Sequence, residues 1–300
     1  MPFPLICAFF ADPKRQPKRP KRSIAFHRKR LVSDSLVWRS SMSTFNDYPL
    51  NPEYGEGCFR RHIRLRASES EVLAELEDHH HAFRLTLQHD GQQLTAIHAE
   101  TLRIPFSTCP GAVEPLQALR GLPISDDSDL LIANSNPTAN CTHLYDLALL
   151  AIAQAVRGPG ERNYEIRIDD EQGDAPNAAE IFVDGELVHR WLCRDWVIQA
   201  PEALAGNVLF KGFTKWAGTT FSGDAKRAAF ALQKGYFVAS ARRYNLNAIA
   251  GEAANDARDY MYGACYTYTS PQIEKAVRLP DTVFDFNRAP EQLLRFRDKL

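Results

Sequence analysis

Between residues 82 and 100 the chain alternates apolar and polar side chains twice, on either side of an Asp-Gly pair. Ala82-Phe83-Arg84-Leu85-Thr86-Leu87-Gln88 sends every second side chain to one face, as a half-buried strand requires. Asp90-Gly91 tolerates the left-handed backbone of a tight turn, and residues 94–100 return with the same period of two. Residues 59–66 and 71–77 repeat the pattern upstream, so the chain is expected to build an antiparallel meander of three or four strands.

The period then changes. Cys109-Pro110-Gly111-Ala112 reads as the opening of a helix, with proline near the first position, Val113, Leu116 and Leu119 on one side, and Gly121 as the stop. A second helix is predicted from residues 140–142, with Leu144, Leu147, Ala148, Ala151, Ile152 and Ala155 at helical spacing. Gly158-Pro159-Gly160 ends it and reads as a domain boundary. Beyond it, strands are expected at 164–168, 180–183, 187–192, 196–198, 208–213 and 262–268, a helix at 224–244, and short helices at 271–277 and 290–297. The predicted class is α+β: an antiparallel β-meander followed by helices over residues 50–158, with a second α+β region, 160–300, packed on it. Strand–Asp-Gly–strand followed by a helix occurs in both halves, a weak echo of a duplication.

Charge is distributed unevenly. Residues 1–41 carry ten Lys and Arg against Asp12 and Asp34, a balance of +8, so a chain of net charge −1 leaves −9 for the remainder. Residues 1–41 read as a disordered basic tail, and Met42-Ser43-Thr44-Phe45 resembles a start, which makes the tail upstream text that need not be translated. The acidic remainder argues against nucleic acid as a partner anywhere but in that tail. No apolar run approaches the length of a membrane span. Six cysteines (7, 58, 109, 141, 193, 265) include no CxxC pair, and no secretory signal precedes them, so a cytoplasmic protein with reduced thiols is expected.

Chemistry concentrates between Glu75 and Asp146. Cys109 and Cys141 each stand where a helix begins, and free N–H groups with the helix dipole favour a thiolate there, as nucleophile or metal ligand. His143 and Asp146 share a helix face, so the carboxylate would orient the imidazole or simply complement the helix N-terminus. In Glu75-Leu76-Glu77-Asp78-His79-His80-His81, an extended backbone would put His79 and His81 on one face and Asp78 and His80 on the other. The candidate catalytic residues are therefore Cys109, His143, Asp146 and His80, and the candidate metal ligands are Asp78, Cys109, Cys141 and His143. That donor set suits zinc or iron. Beside this stands a plainer reading, in which the cysteines are small buried apolar groups and the acidic block is a solvated strand end. Arg60, Arg61 and Arg103 would meet an anionic substrate or pair with the acidic surplus.

The run Glu75–Asp78, His80, Arg103-x-Pro105, Cys109-Pro110-Gly111-Ala112 and Cys141-Thr142-His143-Leu144-x-Asp146-Leu147, with Gly263-x-Cys265-Tyr266, resembles the bacterial family filed as domain of unknown function 2889. The family name supplies no activity. The order of strands, cysteine turn and Cys/His helix start is also similar to the iron–sulfur scaffold family of NifU and IscU. That resemblance implies a metal or cluster site, with Asp78 at the place of its aspartate and Cys109, Cys141 and His143 near its later ligands. Leu76 and Glu77 stand where that family has its first cysteine, and the later Cys and His are reversed around Thr142. Two functional readings follow: a zinc- or iron-dependent, or cysteine-dependent, hydrolase or lyase acting on a small organic substrate in bacterial catabolism, compatible with a homo-oligomer; or a non-catalytic metal- or cluster-handling adaptor.

Overall fold

A computed structural model of the protein describes residues 48–296. The basic tail and the proposed start at Met42 lie outside the described residues. Eight antiparallel strands form one sheet: β1 (Cys58–Ala67), β2 (Glu71–Asp78), β3 (Ala82–His89), β4 (Leu94–Arg103), β5 (Gly160–Asp169), β6 (Asn177–Val183), β7 (Glu186–Arg194) and β8 (Val197–Ala200). Their order is β4-β3-β2-β1-β5-β6-β7-β8. The class is α+β, a meander followed by helices, as the alternation implied.

The second half does not pack on the first as a separate layer. It continues the same sheet, because β1 pairs antiparallel with β5 along its whole length, from Cys58 opposite Asp169 to Ala67 opposite Gly160. The Gly158-Pro159-Gly160 turn therefore joins two four-strand meanders edge to edge. The Asp-Gly turns are not equivalent positions in them: Asp90-Gly91 connects β3 to β4, whereas Asp184-Gly185 connects β6 to β7. In the latter both residues have positive φ, 51° and 85°, as a two-residue hairpin demands.

Among the described residues four helices are longer than one turn: α1 (Ser128–Ala133), α2 (Thr142–Arg157), α3 (Phe213–Thr220) and α4 (Gly223–Ala239). α2 packs on β1–β3 and α4 on β5–β7, and both also touch β1. Alternation decides which strand face they cover. Phe59, Ile63 and Leu65 of β1 share a face with Val72, Ala74 and Leu76 of β2, all essentially buried, and they join one core with Leu144, Leu147, Ala148, Ala151, Ala228 and Leu232. On the opposite face Glu75 takes Arg64 at 2.7 Å and Arg66 and Arg84 at 3.2 Å from its neighbouring strands.

Some local expectations fail for identifiable reasons. The helix expected from Cys109 is two 3₁₀ turns, Cys109–Val113 and Pro115–Leu119, since Pro115 has no N–H to continue an α-helical ladder. Residues 262–268 form turns, not a strand: the Gly263 N–H donates to Tyr268 O at 2.8 Å and Ala264 N–H to Met261 O at 2.9 Å. Of residues 208–213 only Val208 bridges a strand, before α3 begins at Phe213. Residues 271–275 are turns, and from the last expected helix a 3₁₀ turn at Pro290–Gln292 remains.

Past α4 the chain runs back over one end of the sheet. Tyr266 N–H donates to Asn140 O (3.0 Å), Leu279 N–H to Pro105 O (2.9 Å), Phe284 N–H to His79 O (2.9 Å) and Leu294 N–H to a Glu77 oxygen (2.7 Å). Close approach explains one glycine: a Cβ on Gly111 would collide with the Tyr266 hydroxyl. No helix among the described residues is long and apolar enough to cross a membrane.

Candidate functional site

The sheet end covered by the C-terminal segment encloses a cavity of about 740 Å³. Strand ends β2 and β3, the start of α2 and the segment after α4 build it. Cys109, Cys141, His143, Asp146 and His80, drawn from distant stretches of sequence, all line it, as does His81.

Asp78, the last residue of β2, anchors the group. It lies directly opposite Arg61 in the β1–β2 register, on the helix-covered face. Its Oδ2 accepts from Arg61 Nε (2.9 Å) and Nη2 (2.6 Å), with both side chains essentially buried. Oδ1 accepts the backbone N–H groups of His80 (2.7 Å) and His81 (2.8 Å). Those two bonds make an Asx turn, which breaks the extended backbone at Asp78. For that reason the expected division of faces fails, and His81 rather than His80 swings back to Asp78, with its Nδ1 3.1 Å from Oδ1. Burial would push the Asp78 carboxyl up, but the opposing His81 and Arg61 charges and the His81 hydrogen bond hold it well below the ordinary range. Against an ionised carboxylate His81 Nδ1 is the donor, so in the neutral ring it is Nε2 that carries the lone pair.

His143, in the first turn of α2, lies against His81 with ring centroids 4.0 Å apart and planes 30° apart, and Phe83 flanks both rings at 5.9 Å. Burial, then the neighbouring His81 and Arg61 charges, drive the His143 pKa well below the ordinary value, so it is neutral. One ligand atom each of Asp78, His81 and His143 lies within 4.8 Å of the others, a group that could hold a metal ion. His81 is the member that strand periodicity hid; Asp78-x-x-His81, an Asx-turn spacing, was the available signal.

The remaining residues play other parts. His80 is buried at the cavity wall with neither ring nitrogen hydrogen-bonded, and burial pushes its pKa down to about 3. Cys141 caps α2 with Sγ 4.0 Å from His143 Nδ1, and Cys109 Sγ is 3.4 Å from Thr267 Oγ1. The helix-start argument predicted low thiol pKa values. Burial wins instead, pushing Cys141 up to about 12 and raising Cys109 and Cys265 as well. Among the described residues the candidate metal grouping contains no cysteine. Asp146 does not orient His143; it faces Lys234 at 3.6 Å, and its carboxyl is raised because burial outweighs that partner. Glu77 bonds Arg103, and Arg103 also donates to the carbonyls of Asp78 and Thr282, so Arg61 and Arg103 serve structural acids. His79 packs against Phe59, with ring centroids 5.4 Å apart, and its Nδ1 lies 3.1 Å from Arg242 Nη1.

Residues 60–157 match the model of a family. Its description is "Protein of unknown function (DUF2889)". That stretch holds Arg61, Asp78, His81, Cys109, Cys141 and His143, whereas Lys234, Cys265 and the segment that closes the cavity lie beyond it. No curated protein and no solved structure matches the chain, so the likeness to the iron–sulfur scaffold family rests on sequence pattern alone.

Proposed function

We propose that the protein is an enzyme acting on a small organic substrate held in the cavity, with Asp78 and His81 as its acid–base pair. The observation that carries this reading is His81, fixed by a buried, Arg61-paired carboxylate at 3.1 Å, on the wall of a cavity large enough for a substrate. A base held this way takes a proton from water or from a carbon acid through Nε2, and Asp78 stabilises the imidazolium that forms. Neutral His143 keeps a second positive charge away from it. Chemistry of this kind belongs to hydrolases and lyases.

A metal centre is the second reading, favoured by the grouping of Asp78, His81 and His143. The donor set suits zinc or iron. Both Asp78 oxygens already accept two or more hydrogen bonds, so Asp78 fits better as the partner that orients a ligating His81 than as a ligand itself.

Full-length protein, purified anaerobically, is assayed for metal content and incubated with a panel of esters, amides and dehydratable acids, with product followed by mass spectrometry. Conversion of a panel member that falls about 100-fold or more in His81→Gln supports the acid–base reading. Stoichiometric zinc or iron lost in both His81→Ala and His143→Ala establishes the metal reading instead. Turnover unchanged in His81→Gln, or no turnover of any compound, overturns the proposal.

A further inference from the structure

We propose that Arg278 is the anchor for the carboxylate of an aromatic organic acid, the substrate class of the cavity. The inference rests on the functional reading above and deepens it. Arg278 belongs to the segment that closes the cavity, pinned there by a bridge to Phe106 and by its backbone N–H, which donates to Glu252 O at 2.9 Å. Its guanidinium lies over the Phe106 ring, 4.5 Å from the centroid, and the residue is only 8 % exposed. No carboxylate of the described residues comes within 4.0 Å of it.

Each other cation of the cavity wall is matched. Lys234 faces Asp146 at 3.6 Å, and Arg243 is bonded to Glu171. Even the wall's Asp195 has Arg194 at 3.7 Å. Among the described residues Arg278 is thus a largely buried cation with no carboxylate partner, and a fold tolerates that poorly unless something arriving in the cavity supplies the charge. One unmatched cation calls for a monoanion rather than a phosphate dianion, and the planar guanidinium matches a carboxylate through two parallel hydrogen bonds.

The rest of the wall describes the rest of the ligand. Phe106, Tyr268, Trp196, Phe210 and Phe237 line the same cavity. Trp196 and Phe210 pack with centroids 4.1 Å apart, and Phe106 meets Tyr268 edge-on at 5.4 Å. Such walls suit a flat, aromatic body. Arg278 lies close enough to His80, the residue next to His81, for its charge to act on the His80 ring. An acid anchored at Arg278 is therefore held in the same cavity that His81 lines.

Calorimetric titration of the full-length protein with trans-cinnamate and 2-naphthoate, beside their neutral amides and acetate, tests the assignment. Both aromatic acids are expected to bind with one-to-one stoichiometry, about tenfold or more tighter than their amides, and acetate not at all. Arg278→Gln should bring the acids down to the amide level, and Arg278→Lys should fall between. Equal affinity for acid and amide in the wild-type protein, acid binding retained in Arg278→Gln, or no binding of either acid overturns the proposal; the first and third of these need no variant to fold. The two readings fail separately. Arg278-dependent binding of acids without His81-dependent turnover sinks the enzyme and keeps the anchor, and His81-dependent turnover of a neutral compound, indifferent to Arg278, does the reverse.

Discussion

Breaking the Arg61–Asp78 pair should unfold much of what the site depends on. Arg61→Met keeps the length and apolar stem of the side chain but leaves the Asp78 carboxylate buried, with backbone N–H groups and His81 as its only donors. The lost bonds are 2.9 and 2.6 Å, between side chains 2 % and 0 % exposed. Removing one partner of a buried pair costs about 3–5 kcal/mol, because the survivor stays desolvated and unpaired. Asp78→Asn should cost a similar amount from the other side and release His81 as well. In the double variant neither charge is stranded, so the two losses should fall short of adding by about 2 kcal/mol or more. Urea unfolding followed by tryptophan fluorescence at pH 7.5, for the wild type, both single variants and the double variant, measures this coupling. Additive losses, or an Arg61→Met cost below about 1 kcal/mol, would refute the reasoning. The charge of Asp78 would then be balanced by something other than Arg61, and repeating the cycle after chelation would show whether a bound cation does it.

Three further outcomes are expected. Gly111→Ala should lose about 1–3 kcal/mol through the collision with Tyr266, and Tyr266→Phe in the same chain should recover part of it, since the hydroxyl oxygen is the nearest atom; no recovery would place the strain elsewhere. Cys109, Cys141 and Cys265 should react with iodoacetamide more slowly than an unperturbed thiol between pH 7 and 9, because burial raises all three, Cys141 to about 12; a cysteine alkylated rapidly at pH 7 would restore nucleophilic catalysis as a reading. Asp224 bonds Arg157 at the end of α2, Arg162 of β5 and Arg227, which hold its carboxyl down at about 2 against the cost of burial. A depressed carboxyl stabilises above its unfolded pKa near 4 and loses that contribution as pH falls through about 2. Asp224→Asn should therefore lower Tm at pH 7 and matter progressively less below pH 4; a shift of equal size at pH 3 and pH 7 would contradict the sign.

Strands β1–β4 and helix α2 were legible in the sequence because their signals are local. Period-two alternation, a turn at Asp90-Gly91 and a left-handed Gly158 (φ 96°) are properties of short windows. The β1–β5 pairing that makes one sheet out of two meanders joins residues about a hundred apart, and no local pattern specifies it. The 262–268 stretch misled for a related reason: aromatic residues favour strands, yet Tyr266 and Tyr268 are there to fill space against Gly111 and Phe106. At the site, the gathering of Asp78, His80, Cys109, Cys141 and His143 followed from their placement at segment ends. Their chemistry did not, because the helix-dipole effect on a thiol is small beside the desolvation that only a folded structure reveals.

What separates this site from a chance cluster of buried polar groups is how its charges are divided. Arg61, Asp78 and His81, within the family-matched residues, form a set complete in itself: each hydrogen-bonds or pairs with another, and His81 Nε2 is the nitrogen not turned to Asp78. Arg278 comes from outside that stretch and has no carboxylate within 4.0 Å among the described residues. A fold selected for stability alone would gain by replacing so buried a guanidinium with an apolar side chain. The chain instead holds it over Phe106 in the cavity that His81 also lines. Such an arrangement is accounted for when the missing anion belongs to the molecule on which His81 acts.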